Sequence, residues 1–426
     1  MFPLPYDRTP STISLLQFKV LEELGGPDRI IVRPRCGESA RYRHHGLASR
    51  PAGKGGRRFT AFGLAFSIER AITILEAAQY PPISPPAQTY TGRGRRLVVR
   101  ILFLRDDEVK RLITMREAIE AVEVAYREKG LGRVQMPPKS YLYFTKHDGD
   151  LRVMPSYIEA IEMAGVKVVN SHPMNPERYG LPTVMAVLVL VNPPDGRPLC
   201  IMGATWLTAM RTGAGSGVAT KYLARKDSSV VGIVGAGTQA RTQAMAMAEV
   251  LKGLREIRVY DRKPEVARRF AEETSGILGL EVRTVPTVEE CVRGADVVCT
   301  TTPSRSPIVM RDWISPGTHI NAIGADAPGK EELDPEILKA ASVFVDDLEQ
   351  ASHSGEINVP LRKGIITLSD IRGEIGEVVA GRKPGRTSEH EITVYDSTGL
   401  SILDVATGEL VMRKAEKEGV GVWLEI

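Results

Sequence analysis

Ser228-Ser229-Val230-Val231-Gly232-Ile233-Val234-Gly235-Ala236-Gly237-Thr238-Gln239-Ala240 runs from an apolar stretch into a glycine turn. The apolar stretch reads as a buried strand. The Ala-rich stretch that follows, to about Lys252, reads as a helix, and Ile257-Arg258-Val259-Tyr260-Asp261 reads as a second strand ending in an acid. A glycine fingerprint by itself is weak evidence, but strand, turn, helix and strand in this order predict a dinucleotide site. Gly235 permits the tight turn, and Gly237 lets backbone approach a pyrophosphate. The helix opening with Thr238 and Gln239 points its positive end at phosphate, and Ala240 fills the third small position. Asp261 stands where an adenosine ribose belongs; a carboxylate there accepts from the 2′-hydroxyl and repels a 2′-phosphate, which favours NAD. Arg262 and Lys263 beside it could hold that phosphate, so NADP is the alternative.

Downstream, the alternation continues: Glu265 to Thr274 as a helix, Glu281 to Val285 as a strand, a helix near Val288 to Arg293, and strands at Val297 to Thr301, His319 to Ile323 and Val343 to Asp346. Such alternation predicts a parallel sheet. Upstream, Thr114 and Glu117 form a capping box before an amphipathic helix, and Tyr141 to Phe144, Leu151 to Pro155, Ala164 to Asn170, Thr183 to Asn192 and Leu199 to Ala204 follow as strands. Strands in succession without helices between them predict an antiparallel sheet. Thr208 to Leu223 reads as a helix whose small residues, Gly213 to Gly217, imply close packing. A strand at Ile392 to Asp396 and a helix from about Leu400 through Glu418 complete the chain.

The 426 residues are enough for two domains with real cores. No apolar run approaches the roughly 20 residues that span a bilayer, and the first residues lack a signal peptide's apolar core, so a soluble, cytoplasmic protein without a membrane partner is expected. Cys36, Cys200, Cys291 and Cys299 form no paired spacing, so neither a metal site nor a disulfide framework is expected. The net charge is +4, but residues before Val99 carry a surplus of roughly eight positive charges. Basic character thus belongs to the first segment alone, which is rich in Arg, Pro and Gly. That segment reads as a disordered arm for nucleic acid or as translated upstream DNA with the true start near Val98 to Ile101. The second reading is preferred, with no nucleic-acid partner.

Several polar residues could carry chemistry. Thr300-Thr301-Thr302-Pro303-Ser304 ends a strand where open parallel sheets present their ligand crevice, and Thr301, Thr302 and Pro303 could meet a cofactor there, or the threonines could equally cap their own strand end. Asp326, in Gly324-Ala325-Asp326-Ala327-Pro328-Gly329, follows the next strand and would face the same crevice; alone it could equally be a turn former. Lys139 follows Pro137 and Pro138, and a lysine dehydrated in a cleft can titrate near neutrality; alone, a lysine is usually a solvated surface charge. Arg152 offers the planar fork suited to a substrate carboxylate, with a surface ion pair as the ordinary alternative. His172, between prolines and asparagines, could serve a site or merely order a loop.

Together these residues resemble the ornithine cyclodeaminase and mu-crystallin family, most closely its archaeal alanine dehydrogenase branch. The resemblance runs from about Phe103 to Lys414 through Met136-Pro137-Pro138-Lys139, Gly149-Asp150-Leu151-Arg152, Asn170-Ser171-His172-Pro173, Arg211-Thr212-Gly213-Ala214, the glycine turn, Thr300 to Ser304, His319 to Asp326, Gly355-Glu356-Ile357-Asn358 and Asp396-Ser397-Thr398-Gly399. It implies an α/β fold: a central Rossmann-type parallel-sheet domain at 226–350, and an α+β substrate and dimerisation domain built from 99–225 and a returning C-terminal segment at 351–426, after a leader at 1–98. A homodimer is expected. By the same resemblance Lys139 is the active-site lysine, Arg152 and Arg211 are carboxylate or cofactor-phosphate ligands, Asp326 is the acid/base carboxylate, and Thr212, Ser397 and Thr398 join the cofactor site. The implied activity is reversible NAD-dependent deamination of L-alanine to pyruvate and ammonium, without a metal. Ala325 and Ala327 around Asp326 depart from the cyclodeaminase pattern of Gly and Cys, and so disfavour ornithine cyclisation. The rivals are that cyclisation, an imine reductase, and a non-catalytic binder.

Overall fold

Alternate side chains are buried along Gly149–Ile158 and Met163–Ser171, the pattern of strands with one covered face. These two strands pair antiparallel with Val153 opposite Val168, and Val168 in turn lies opposite Val187 of the strand Val184–Val191. The computed structural model describes residues 98–426. The basic leader read from sequence therefore lies, but for its last residue, outside the described residues.

The antiparallel succession extends through Pro198–Gly203, whose far edge pairs parallel with Arg100–Leu104, and that strand pairs with the C-terminal Val422–Glu425. Ser140–Phe144 and Val134–Gln135 pair with Gly149–Ile158. The helix Ser401–Glu418 packs on the middle strands of this sheet. Leu188 and Leu190 are fully buried on that side, while Val187, on the opposite face, is 46% exposed.

The second sheet has eight strands, all parallel, in the order Glu281–Thr284, Glu256–Tyr260, Val230–Val234, Val297–Thr300, His319–Ala322, Thr393–Asp396, Ser342–Val345, Ile371–Glu374. The strand before the glycine turn lies inside the sheet. The order reverses beside it, which makes the crevice between Val230–Val234 and Val297–Thr300 a topological switch point where ligands bind in such sheets. The fold is thus α/β with a Rossmann-type parallel sheet and a separate, mostly antiparallel sheet.

One expectation differs from this arrangement. The chain does not leave the parallel sheet at 351: Ile371–Glu374 forms its edge and Thr393–Asp396 inserts between two earlier strands, so the return to the antiparallel sheet comes with Ser401–Glu418. A short buried strand carries no mark of which sheet it joins; pairing partners decide that. The helix Thr205–Leu223 joins the two halves, packing against the helices Met115–Leu131, Thr238–Val250 and Ser401–Glu418. Its small residues permit this, since a Cβ on Gly213 would lie 2.5 Å from the Thr242 carbonyl oxygen. Among the described residues no helix is long and apolar enough to cross a membrane.

Candidate active site

The glycine turn is shaped by its neighbours. Gly235 has φ of +97°, and a Cβ there would meet Thr301 Oγ1 at 2.9 Å. Only glycine fits both the backbone angle and the contact. Gly237 is exposed, with nothing within 4 Å of where its Cβ would be, so its backbone is open to a ligand. The helix Thr238–Val250 begins at once, its first N–H groups aimed at that opening. Ala240 is fully buried, and the Gln239 Oε1 atom is buried without a protein partner. An open backbone and a helix N-terminus, both offering N–H donors, fit a bound dinucleotide phosphate group. Asp261 accepts from Ala236 N and Lys263 N, both at 2.9 Å, which ties the turn to the end of the second strand. Arg262 beside it is exposed. Arg241, which the sequence reading passed over, donates to the carbonyls of Ala236 (3.4 Å) and Gly237 (3.3 Å) and pairs with Glu273. A cation in the first turn of the phosphate-facing helix was the signal available for it.

Three further strand ends reach the same edge. Thr301 Oγ1 bonds the Val234 and Gly235 carbonyls at 3.3 Å each, and Thr302 gives its N–H and hydroxyl to Glu332 Oε1 at 2.7 and 2.8 Å. Pro303 is exposed beside them. Asp346, just past Ser342–Val345, accepts from Thr398 N and Gly399 N at 2.7 Å each, from Thr398 Oγ1 at 3.0 Å and from Ser397 Oγ at 3.4 Å. The hydroxyls of Ser397 and Thr398 are therefore already held by Asp346. The Thr212 hydroxyl is likewise spent on the Thr208 carbonyl, one helical turn back.

From the antiparallel half come the cations. Lys139 Nζ donates to the Thr398 carbonyl at 2.5 Å. Burial lowers its ammonium, the Asp346 carboxylate opposes this, and the guanidiniums of Arg152 and Arg211 add to the fall, leaving the amine at about 8. Arg152 spends Nε and one terminal nitrogen on Asp150, both at 3.0 Å, and gives the other terminal nitrogen to Asp326 at 2.8 Å, with its guanidinium 5.5 Å from the Tyr141 ring centroid. Lys330 Nζ holds the other Asp326 oxygen at 2.6 Å. Burial works to raise the Asp326 carboxyl, but these two cations outweigh it and hold it well below the usual carboxylate range. Arg211 lies 2.9 Å from Asp404, which also takes Lys167 Nζ at 2.7 Å, and its guanidinium packs beneath Gly399.

The structure thus brings Lys139, Arg152, Arg211 and Asp326 to one place at the crevice, with Thr301 and Thr302 on the adjoining strand end. Asp261 and Arg262 sit at the far end of the glycine turn. Asp150, Lys330, Asp346 and Asp404 were not singled out from sequence; of these only Asp346 carried a signal, as an acid at the end of a parallel strand. His172 stacks on Phe144 with ring centroids 5.9 Å apart. Burial pushes the thiols of Cys200, Cys291 and Cys299 up to about 12, so they are inert at neutral pH. Beside Lys139 a cleft of about 490 Å³ opens between Tyr141 and Tyr143 on one side and Glu349, Gln350 and His353 on the other.

The sequence profile of the ornithine cyclodeaminase/mu-crystallin family matches residues 100–419. An alanine dehydrogenase from Archaeoglobus fulgidus is 52% identical over 322 residues, 75% of this chain and 97% of that protein. Among solved structures, an archaeal alanine dehydrogenase dimer with bound NAD superposes with a TM-score of 0.73 at 51% identity, covering 76% of this chain and 99% of the other. A Delta(1)-pyrroline-2-carboxylate reductase from Thermococcus litoralis, in complex with NADH and L-proline, gives 0.74 at 43% identity, with 76% and 99% covered.

Proposed function

Because the chain belongs to the ornithine cyclodeaminase/mu-crystallin family, we propose that it is an NAD-dependent alanine dehydrogenase, interconverting L-alanine and water with pyruvate and ammonium. The observation that carries this reading is the meeting of Lys139, Arg152 and Asp326 beside the glycine turn. Bound NAD supplies the hydride acceptor. Gly237 and the helix at Thr238 would hold its pyrophosphate, and Asp261 its adenosine ribose.

Arg152 is already bidentate to Asp150, so the substrate carboxylate would take the nitrogen now given to Asp326, with Arg211 adding positive charge nearby. Lys139, with its amine at about 8, is the group poised to exchange protons with the amine and with the water that adds to the iminium carbon. Asp326, still bonded to Lys330 and close to the Arg152 charge when substrate takes the Arg152 nitrogen, would stabilise the positive charge that develops on the substrate nitrogen. This assigns the proton transfers chiefly to Lys139 and the electrostatic stabilisation to Asp326.

A homodimer fits the same reading. The uncovered face of the antiparallel sheet presents Val153, Pro155, Tyr157, Val166, Val168, Val187 and Val189, none of them fully buried. An apolar face of this kind, running across three neighbouring strands, is suited to a second copy. On this reading residues 99–225 and the C-terminal helix carry the substrate and dimer contacts, while the parallel sheet carries the dinucleotide.

The second reading is an ornithine cyclodeaminase. The cleft beside Lys139 favours it, having room for a side chain longer than a methyl group and an acid, Glu349, on its wall. Incubation with NAD and either alanine or ornithine, followed by absorbance and by proline analysis, separates the two. Net NADH from alanine supports the dehydrogenase, and proline from ornithine without net NADH overturns it.

A further inference from the structure

The motif Gly355-Glu356-Ile357-Asn358 has no part in the chemistry above, yet its two polar side chains are almost wholly buried: Glu356 is 0% exposed and Asn358 is 1%. Asn358 bonds to the loop that carries Asp326, and Glu356 to the strand that follows that loop. That loop, residues 324–330, has little structure of its own. Among the described residues, the one backbone–backbone hydrogen bond inside it runs from Lys330 N to the Ala327 carbonyl at 3.2 Å. A loop so poorly tied would let Asp326 wander, and side chains from elsewhere supply what its backbone lacks.

At the upstream end, the fully buried Glu332 accepts from Gly324 N at 2.8 Å with one oxygen and from Thr302 N and Oγ1 with the other. One carboxylate thus joins the two loops that flank the crevice. The approach is so close that a Cβ on Gly324 would fall 2.0 Å from the Thr302 carbonyl oxygen. At the downstream end, Asn358 Oδ1 accepts from Gly329 N at 3.0 Å, and Asn358 Nδ2 donates to the carbonyls of Lys330 at 2.9 Å and Gly355 at 2.5 Å. Glu356 Oε1 takes the N–H groups of Glu332 and Leu333 at 2.8 and 2.7 Å, fixing the residue that fixes Gly324. Asp396 accepts from Ile357 N at 3.1 Å and leads directly into Ser397 and Thr398, where Lys139 is anchored.

We propose that Glu332, Glu356 and Asn358 are positioning residues that clamp the 324–330 loop at both ends and so set Asp326 and Lys330 against Arg152; this rests on the role given to Asp326 above. The residue types suit the task. A carboxylate only accepts, and each bonded oxygen of Glu332 and Glu356 faces N–H or O–H donors, whereas Asn358 must accept and donate at once and an amide does both. Buried carboxylates are costly to desolvate, and here the geometry of a catalytic loop is what they secure in return.

The test compares Asn358→Ala, Asn358→Asp and Glu332→Gln with wild type and with Asp326→Asn. Three quantities are read: amide hydrogen exchange across 324–333, the NADH dissociation constant, and kcat per NADH-binding site. Asn358→Ala should raise exchange in the loop at least tenfold and lower kcat on the order of 100-fold, with NADH affinity within about twofold because Asn358 touches no residue of the glycine turn. Asn358→Asp keeps the bond from Gly329 but sets a carboxylate oxygen against the Lys330 and Gly355 carbonyls, so loop exchange should rise in it as well. Glu332→Gln, which sets an amide N–H₂ against a backbone N–H, should raise exchange at the Gly324 end. Unchanged loop exchange in these variants overturns the proposal, as does a loss of activity that only tracks the fraction of protein able to bind NADH. If Asp326→Asn keeps full turnover, the role of Asp326 falls instead, and the clamp stands or falls on the exchange data alone.

Discussion

Replacing Lys139 by Met should stabilise the protein while abolishing turnover. The ordinary lysine value is 10.5, and the amine here lies at about 8. At about 1.4 kcal/mol for each tenfold change in proton affinity, holding this lysine charged in the folded protein costs about 3 kcal/mol at pH 7. Methionine fills similar space without the charge and forfeits the bond to the Thr398 carbonyl, worth about 1 kcal/mol, for a net gain of about 2 kcal/mol. Between pH 8 and 10.5 the unfolded chain binds a proton at this position that the folded protein does not, so wild-type stability rises across that interval. The penalty is fully present below about 8 and falls to under about 1 kcal/mol by pH 10. Reversible urea unfolding of both proteins at pH 7 and pH 10 measures this directly, because titration of the other lysines cancels in the difference. A Lys139→Met protein less stable than wild type at pH 7, or a difference that stays flat to pH 10, would refute the reasoning. Loss of turnover by a factor of at least 10² would accompany the gain if Lys139 moves the protons.

Asp346→Asn removes the carboxylate that holds the Lys139 amine up, so the limb of the kcat–pH profile near 8 should move down by about one unit, as stopped assays across pH 6 to 10 would show. Asp404→Leu leaves Lys167 and Arg211 buried without their shared partner and should cost about 3–5 kcal/mol by thermal unfolding, whereas Lys167→Met with Asp404→Leu should recover part of it. Gly235→Ala forces a Cβ onto Thr301 at a left-handed backbone position; a stability loss of about 1–3 kcal/mol and at least tenfold weaker NADH binding by titration are expected. Asp261→Ser should raise the NADPH to NADH ratio of kcat/KM. An unchanged ratio would mean that Asp261 serves only to brace Ala236 and Lys263.

Local order in the sequence was enough for the six strands of the parallel sheet between Val230 and Val345. Val230 to Ala240 declares its strand, turn and helix because the glycines, the buried aliphatics and the small residues are each required within one continuous segment. The alternating strands from Leu151 to Asn192 were legible for the same reason: period-two burial needs only neighbours in sequence. Lys139, Arg152 and Asp326 could be nominated from sequence, each with a bland alternative that no local pattern could remove.

Tertiary structure alone decided where Thr393–Asp396 pairs, that Asp404 joins Lys167 to Arg211, and that Asn358 and Glu356 bear on the Asp326 loop and on the strand that follows it. These are contacts between residues distant in the chain, and their energy depends on geometry set by the packing of both sheets together. The proton affinity of Lys139 belongs to the same class, because burial and charges from four other segments set it. The sequence by itself therefore determined that there is a dinucleotide turn and nominated Lys139, Arg152 and Asp326 to accompany it. Only the folded structure decided which of those residues stays charged, which can give up a proton near neutrality, and what holds them in place.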